Sequence, residues 1–86
     1  MELEQLRAFA AVAEEKSFIK AGERLYVSHS TVSRAVSALE REFGRRLISR
    51  DNRVTGLTPD GERLYEMARA LLDMAKNIEE TMQNDG

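Results

Sequence analysis

Hydrogen-bonding side chains recur between residues 28 and 41 at the spacing of one helix face. At about 100° per residue, one side of such a helix carries hydroxyls and basic groups while the opposite side is apolar. The polar side consists of Ser30, Arg34, Ser37 and Arg41, with Ser33 at its edge and His29 in the first turn. This face offers donors and acceptors for the edges of bases but little apolar surface, so it suits a DNA groove better than a protein partner.

The same side chains could be mistaken for a nucleophile and its base. Ser28, Ser30 and Ser33 lie near His29, but they occupy consecutive turns of one helix, with no acidic residue beside them to orient the imidazole. The chain has no cysteine, a single histidine and no glycine-rich phosphate loop, so we expect neither an enzyme nor a metal site nor a cofactor. A merely solvated polar face is the simpler alternative, and only the elements around it favour DNA.

Residues 17–40 predict two short helices joined by a tight turn. The first helix has one apolar stripe, formed by Phe18, Ala21, Gly22 and Leu25. Ser17 and Ser28 are suited to cap the two helices, with Tyr26 and Val27 as the turn between them. The second helix should face the core with Val32, Val36, Leu39 and Phe43. An earlier helix that supplies core packing is predicted from Leu3, Leu6, Phe9, Ala10 and Ala13. The pattern is that of a helix-turn-helix whose second helix presents the polar face.

A basic segment follows the second helix. Two β-prone pairs, Leu47-Ile48 and Val54-Thr55, flank turn-forming residues 50–53 and predict a small two-stranded hairpin. Residues 45–53 carry four arginines and one aspartate, which suits a wing that lies on phosphates or enters a narrow minor groove. For Arg53, near the tip, DNA contact is favoured over solvation. Arg45 and Arg46 could equally be solvated or interact with the carboxyl end of the preceding helix.

The remainder of the chain predicts one long helix, from Pro59 to about Gln83. Thr58 is a suitable N-cap, and Asp60 lies at the positive end of the helix dipole. Apolar residues then recur at alternating spacings of four and three positions, which is the pattern of a heptad seam. They are Leu64, Ala68, Leu71, Ala75, Ile78 and Met82. A domain of this size can cover only the start of the seam, so we expect the rest to pack against the same helix of a second chain. The alternative is a helix folded back on its own domain.

Charge is divided unevenly along the sequence. The 86 residues carry a formal net charge of −2, yet residues 16–57 contain nine basic and four acidic side chains, and residues 58–86 contain three and seven. The positive charge therefore coincides with the elements predicted to read DNA. No apolar run reaches membrane-spanning length, and the N-terminus lacks the apolar centre of a signal peptide. We expect a cytoplasmic domain without a membrane partner.

In its order and spacing of residues, the sequence resembles the N-terminal DNA-binding domain of bacterial LysR-type transcriptional regulators. The resemblance spans nearly the whole chain, and it rests on Ser17-Phe18, Ala21, Glu23-Arg24-Leu25, Val27-Ser28, Val32-Ser33-Arg34, Leu39-Glu40, Gly44, Leu47-Ile48, Arg50, Leu57-Thr58-Pro59 and Gly61. It implies a mainly α fold with a small β-hairpin, in which a winged helix-turn-helix over residues 1–57 precedes a long dimerising linker helix over residues 58–86. It also implies binding, as a homodimer, to an interrupted palindrome in double-stranded DNA near a promoter.

Three groups of residues are expected to carry that function. Base readout is expected from His29, Ser30, Ser33, Arg34 and Ser37. Contacts with the DNA backbone or minor groove are expected from Ser17, Ser28, Thr31, Arg50 and Arg53. The dimer interface is expected along Leu64, Ala68, Leu71, Ala75, Ile78 and Met82.

The sequence departs from the family pattern in three places. The family usually has Gln at the position of His29 and often Pro at that of Ser30, so its base preferences do not transfer to this chain. Gly22 replaces a common Ala and would permit close packing. The C-terminal domain through which family members bind a small-molecule effector has no counterpart, so we expect a fragment rather than a stand-alone domain. The alternative function is a small helical dimerisation module that binds another protein and has no salt-dependent affinity for DNA.

Overall fold

Four helices make up most of the structure, a computed structural model that describes residues 1–49 and 56–84. They are α1 (Leu3–Glu15), α2 (Phe18–Leu25), α3 (His29–Phe43) and α4 (Pro59–Asn84). The described region is elongated, with principal extents of 48 × 25 × 23 Å. The predicted N-terminal helix, helix-turn-helix and long C-terminal helix are all confirmed.

A residue in the left-handed region follows each of the first three helices. These residues are Lys16, Tyr26 and Gly44, with φ between 56° and 64°. A left-handed residue breaks the helical hydrogen-bond ladder and turns the chain away from the helix axis. Only glycine adopts this conformation without a Cβ penalty, so the turns after α1 and α2 depend on the capping and packing of the helices that follow.

Helix α1 lies at the centre of the core and packs against each of the other three helices. The core consists of Leu6, Ala8, Phe9, Ala10, Ala11, Val12, Ala21, Val32, Val36, Leu39, Leu47, Leu57, Ala68 and Leu72. Two core predictions are wrong, because Leu3 and Phe43 are 41% and 39% exposed. They lie at the first position of α1 and the last position of α3, where helical periodicity still gives the face but the neighbouring helices no longer cover it.

The base of the predicted hairpin is an antiparallel bridge between Ile48 and Leu57. Two backbone hydrogen bonds flank it, from Ser49 N to Gly56 O at 3.1 Å and from Thr58 N to Leu47 O at 3.0 Å. No longer strand pairing occurs within residues 1–49 and 56–84. The turn of the predicted hairpin lies outside the described residues, so the wing is seen only where it joins the body.

The start of α4 is fixed to the segment that precedes the wing. Thr58 Oγ1 accepts a hydrogen bond from Gly61 N at 3.0 Å and donates one to Arg46 O at 2.6 Å. Thr58 is therefore the N-cap that the sequence predicted. Gly61 is buried, and a Cβ there would collide with the carbonyl oxygen of Leu47. The backbones of α4 and of the wing base thus meet at a distance that only glycine allows.

Candidate nucleic-acid interface

The outward face of α3 brings together the five side chains predicted to read bases. All five are exposed: His29, Ser30, Ser33, Arg34 and Ser37. On the opposite side of the helix, Val32, Val36 and Leu39 are at most 2% exposed. Because burying these three side chains fixes the rotation of α3 about its axis, the polar face is presented to solvent in one orientation.

A small hydroxyl cluster organises the first turn of α3. Ser28 Oγ accepts a hydrogen bond from Thr31 N at 3.2 Å, which confirms Ser28 as the N-cap. The two hydroxyl oxygens, Ser28 Oγ and Thr31 Oγ1, are 3.0 Å apart, and Arg34 Nη2 donates to Thr31 Oγ1 at 3.4 Å. The last contact is at the long end of the hydrogen-bond range, so Arg34 is held over the start of the helix by a bond weak enough to be exchanged for a ligand.

Ser17 occupies the corresponding position at the start of α2. Its Oγ accepts a hydrogen bond from Lys20 N at 3.1 Å, so the predicted cap is confirmed. Ser17 also lines a cleft with Phe18, Ile48 and Gly56. The amino end of α2 therefore lies beside the base of the wing, where a single DNA backbone could contact both elements.

The turn between α2 and α3 is unusually close. A Cβ on Gly22 would lie 2.7 Å from the carbonyl oxygen of Val27, and Val27 N donates to Gly22 O at 2.9 Å. The predicted close packing at Gly22 is confirmed. It fixes the start of α3 against α2 at a separation that a larger side chain would not permit without a backbone shift.

Within the described part of the chain, the two arginines on the polar face of α3 form no ion pair, unlike several arginines elsewhere in the domain. Within residues 1–49 and 56–84, Arg34 and Arg41 are exposed and form no ion pair. By contrast, Arg45 lies 3.2 Å from Asp60. From the sequence, Arg45 could equally be solvated or interact with the carboxyl end of α3. In the structure it forms an ion pair with Asp60. Arg34 and Arg41 thus leave unneutralised positive charge on the polar face of α3, where it can attract phosphates.

Glu40 is a positioning residue that sequence reasoning missed. Its Oε2 accepts hydrogen bonds from Leu47 N at 2.8 Å and Ile48 N at 3.2 Å. Arg46 Nη1 lies 3.8 Å from the other oxygen, and the side chain is only 16% exposed. A carboxylate of α3 therefore holds the segment that leads into the wing. The sequence signal for this role was weak, consisting of an acidic residue next to the apolar stripe of α3.

The apolar seam of α4 divides into a covered and an exposed part. Leu64 is partly buried, and Ala68 is 1% exposed within the single chain. The assignment of Ala68 to a dimer interface needs correction, because its surface is already covered by its own core. Ala75 is partly buried, whereas Leu71, Ile78 and Met82 are 42%, 57% and 71% exposed. The surface available to a partner therefore begins near Leu71.

A metal site and a membrane-spanning helix each place requirements on the described residues. These residues contain no group of three or more His, Asp or Glu side chains placed to hold a metal ion. None of the helices in residues 1–49 and 56–84 is long and apolar enough to cross a membrane. Arg50 and Arg53, expected to contact the DNA backbone or minor groove, lie outside the described residues.

The fold and the polar face of α3 together define a helix-turn-helix domain whose second helix is exposed for recognition. Residues 3–62 match the family described as "Bacterial regulatory helix-turn-helix protein, lysR family". The chain belongs to this family.

Similar proteins are regulators. The chain is 50% identical over 68 residues to a probable hydrogen peroxide-inducible genes activator of Mycobacterium xenopi, covering 79% of this chain and 36% of the relative. It is 43% identical over 72 residues to the HTH-type transcriptional regulator BenM of Acinetobacter baylyi, covering 84% and 24%. The chain thus spans only about a quarter to a third of the length of these curated relatives. Each is named as a regulator or an activator, and neither as an enzyme.

Solved structures extend the similarity to the whole described fold. A BenM DBD–benA site 1 DNA complex has a TM-score of 0.88 and 37% identity, covering 98% of this chain and 94% of that one. A CbnR DBD–DNA complex has a TM-score of 0.84 and 35% identity, covering 99% and 98%. The predicted winged helix-turn-helix class with a long terminal helix is thereby confirmed.

Proposed function

We propose that this chain is the DNA-binding part of a bacterial transcriptional regulator and binds double-stranded DNA sequence-specifically as a homodimer. The observation that carries the proposal is the outward face of α3, where exposed hydrogen-bonding side chains and unpaired arginines share one fixed orientation. The two similar solved complexes, both with DNA, support it. Its place of action is the bacterial cytoplasm, and effector control would act through a separate domain.

Base recognition is proposed for the middle of α3. A guanidinium can donate two hydrogen bonds to guanine O6 and N7 in the major groove, and Arg34 lies at the centre of the exposed face. Its present partner, Thr31 Oγ1 at 3.4 Å, holds it loosely. The shorter side chains His29, Ser30, Ser33 and Ser37 would read neighbouring positions.

Backbone contacts are proposed for the amino ends of α2 and α3 and for the wing. Helix amino ends present unpaired backbone N–H groups and a positive dipole, which favour phosphate oxygens. The hydroxyls of Ser17, Ser28 and Thr31 lie at these ends. Arg50 and Arg53 are proposed as wing contacts from the sequence alone.

Dimerisation is proposed along the exposed part of the α4 seam. Leu71, Ile78 and Met82 are exposed along one side of a helix that carries no other cover there within the described residues. A contiguous apolar stripe of this kind is costly in water and is stabilised by a second copy. Two copies would present two α3 helices to the two halves of a palindrome near a promoter.

The test is a binding measurement with a matched charge control. Duplexes selected from a random pool by the 86-residue chain would supply the specific site, and unselected duplex the non-specific one. Arg34→Ala is expected to cost about 1–3 kcal/mol on the selected site and much less on unselected DNA. Lys76→Ala removes the same charge from α4, and we expect it to leave the ratio of the two affinities unchanged.

Salt dependence separates the proposal from the protein-interaction alternative. Binding by phosphate neutralisation weakens as salt rises, with a log–log slope of about −0.9 per contact. A chain that selects no sequence and has no salt-dependent affinity for duplex DNA would be the dimerisation module instead. Equal losses on both duplexes for Arg34→Ala would reassign Arg34 from base readout to phosphate contact.

A further inference from the structure

A single carboxylate at the end of α1 joins three helices. Glu14 Oε2 accepts a hydrogen bond from Tyr65 Oη at 2.6 Å and one from Arg69 Nη1 at 2.7 Å, both from α4. Glu14 Oε1 lies 2.6 Å from Arg24 Nη2, on α2. The side chain is 26% exposed, so all these bonds form at the edge of the core and are partly shielded from water.

The partners of Glu14 are themselves held from a second side. Arg24 Nη1 donates to Glu15 Oε2 at 3.3 Å, and Arg69 Nη2 donates to Asp73 Oδ1 at 3.2 Å. An isolated surface ion pair contributes little, but a network with several fixed donors restrains its members more strongly. Tyr65 and Arg69 are consequently fixed relative to α2 as well as to α1.

Small side chains make up part of the buried surface of α1 and α4. The core contains Ala10 and Ala11 of α1 and Ala68 of α4, beside larger residues of both helices such as Phe9 and Leu72. Side chains of alanine form shallow ridges, which resist rotation of one helix over another less than interlocked large side chains do. A second polar link between α1 and α4 is looser, with Arg7 Nη2 3.7 Å from Glu79 Oε1.

We propose that Glu14 is a positioning residue that sets the direction of α4 relative to α2 and α3, and thereby the half-site spacing that the dimer accepts. The inference rests on the proposed function, because spacing has meaning only for a dimer on DNA. Helix α4 is about 39 Å long. If it tilts by about 10° about its midpoint, each end moves by about 3 Å. This displacement is close to the rise of about 3.4 Å per base pair of DNA. A small change in the direction of α4 therefore moves its end by about the length of one base pair, enough to change which half-site spacing the dimer fits.

The first experiment measures the helix direction without DNA. Residual dipolar couplings of backbone amides give the orientation of α4 relative to α1, α2 and α3 in the 86-residue chain. Glu14→Gln and the milder Tyr65→Phe are expected to change the α4 orientation. Glu15→Gln is the matched control, because Glu15 bonds Arg24 but not α4. An unchanged α4 direction in both Glu14→Gln and Tyr65→Phe would overturn the proposal.

The second experiment measures spacing preference. Base pairs are added to or removed from the centre of the selected palindrome, and affinity is measured for each spacing with each variant. We expect the preference of the unmodified chain for its best spacing over a one-base-pair change to fall by about threefold in Glu14→Gln, the size that a partly exposed ionic network supplies. Glu15→Gln should retain the full preference.

The outcomes distinguish this inference from the proposed function. If every protein binds DNA with the same spacing preference, the role of Glu14 is wrong and DNA binding stands. If no protein binds any duplex, DNA binding is wrong, and the dipolar couplings still decide whether Glu14 orients α4.

Discussion

Removal of the Glu40 carboxylate tests whether α3 holds the wing. In Glu40→Ala, the N–H groups of Leu47 and Ile48 lose the oxygen that accepts them at 2.8 and 3.2 Å. A buried donor left without a partner costs about 1–3 kcal/mol. Both bonds are only partly buried, so water will replace some of the loss, and we expect about 2–3 kcal/mol in total. For a domain of this size that corresponds to a fall in Tm of about 10–20 °C.

Urea and thermal unfolding followed by circular dichroism at one protein concentration would measure the loss, since dimerisation makes stability depend on concentration. Glu42→Ala is the control on the same helix. Glu42 pairs with the N-terminal amine of Met1 at 2.9 Å and is 45% exposed, so its removal should cost less than about 1 kcal/mol. A Glu40→Ala variant within about 0.5 kcal/mol of Glu42→Ala would refute the reasoning.

Three further predictions concern α4 and its contacts. Gly61→Ala should destabilise the fold by more than about 2 kcal/mol in urea unfolding, because its Cβ meets the carbonyl oxygen of Leu47 and the backbone must move. Burial raises the pKa of the Glu14 carboxyl, but hydrogen bonds from its three partners outweigh burial and hold the pKa below the usual 4.5. The stabilisation by ionised Glu14 is therefore present above about pH 4.5 and lost as pH falls through the lower folded-state pKa, so Glu14→Gln should lose less stability than the unmodified chain in that acidic range. Leu71→Asp should place an unpaired charge in the proposed interface and give a monomer by sedimentation, whereas Lys76→Asp, off the seam, should not.

Each of these has a contrary result. Unchanged stability in Gly61→Ala would mean that the wing base moves freely relative to α4. Parallel acid unfolding curves for Glu14→Gln and the unmodified chain would show that ionisation of Glu14 does not contribute to the pH dependence of folding. A monomeric unmodified chain at high micromolar concentration would remove the dimer from the proposal.

The helices were predictable from sequence because their signals are local. Each of the caps at Ser17, Ser28 and Thr58 bonds a backbone N–H three residues later. Helical periodicity likewise gave the buried face of α3. The same periodicity failed at Phe43, because it gives the direction of a side chain but not the point at which the helix extends past its neighbours.

The polar contacts that hold the elements together were not predictable in the same way. Glu14 meets Tyr65 and Arg69 across separations of 51 and 55 residues in sequence. The Glu40 contact is closer in sequence, but its partners are backbone N–H groups, which carry no residue signature. Such contacts depend on how helices are placed in space, and the side chains involved resemble ordinary surface charges until that placement is known.

The burial of Ala68 and Leu72 bears on how such domains can be exchanged between proteins. A graft that ended at residue 57, where the sequence suggested a domain boundary, would remove Ala68 and Leu72 from the core that surrounds α1. A junction placed after Leu72 would carry the complete core into a new host and leave behind most of the exposed seam. Chimeras joined after Leu72 should fold as monomers. Their symmetry would then be that of the assembly to which they are attached.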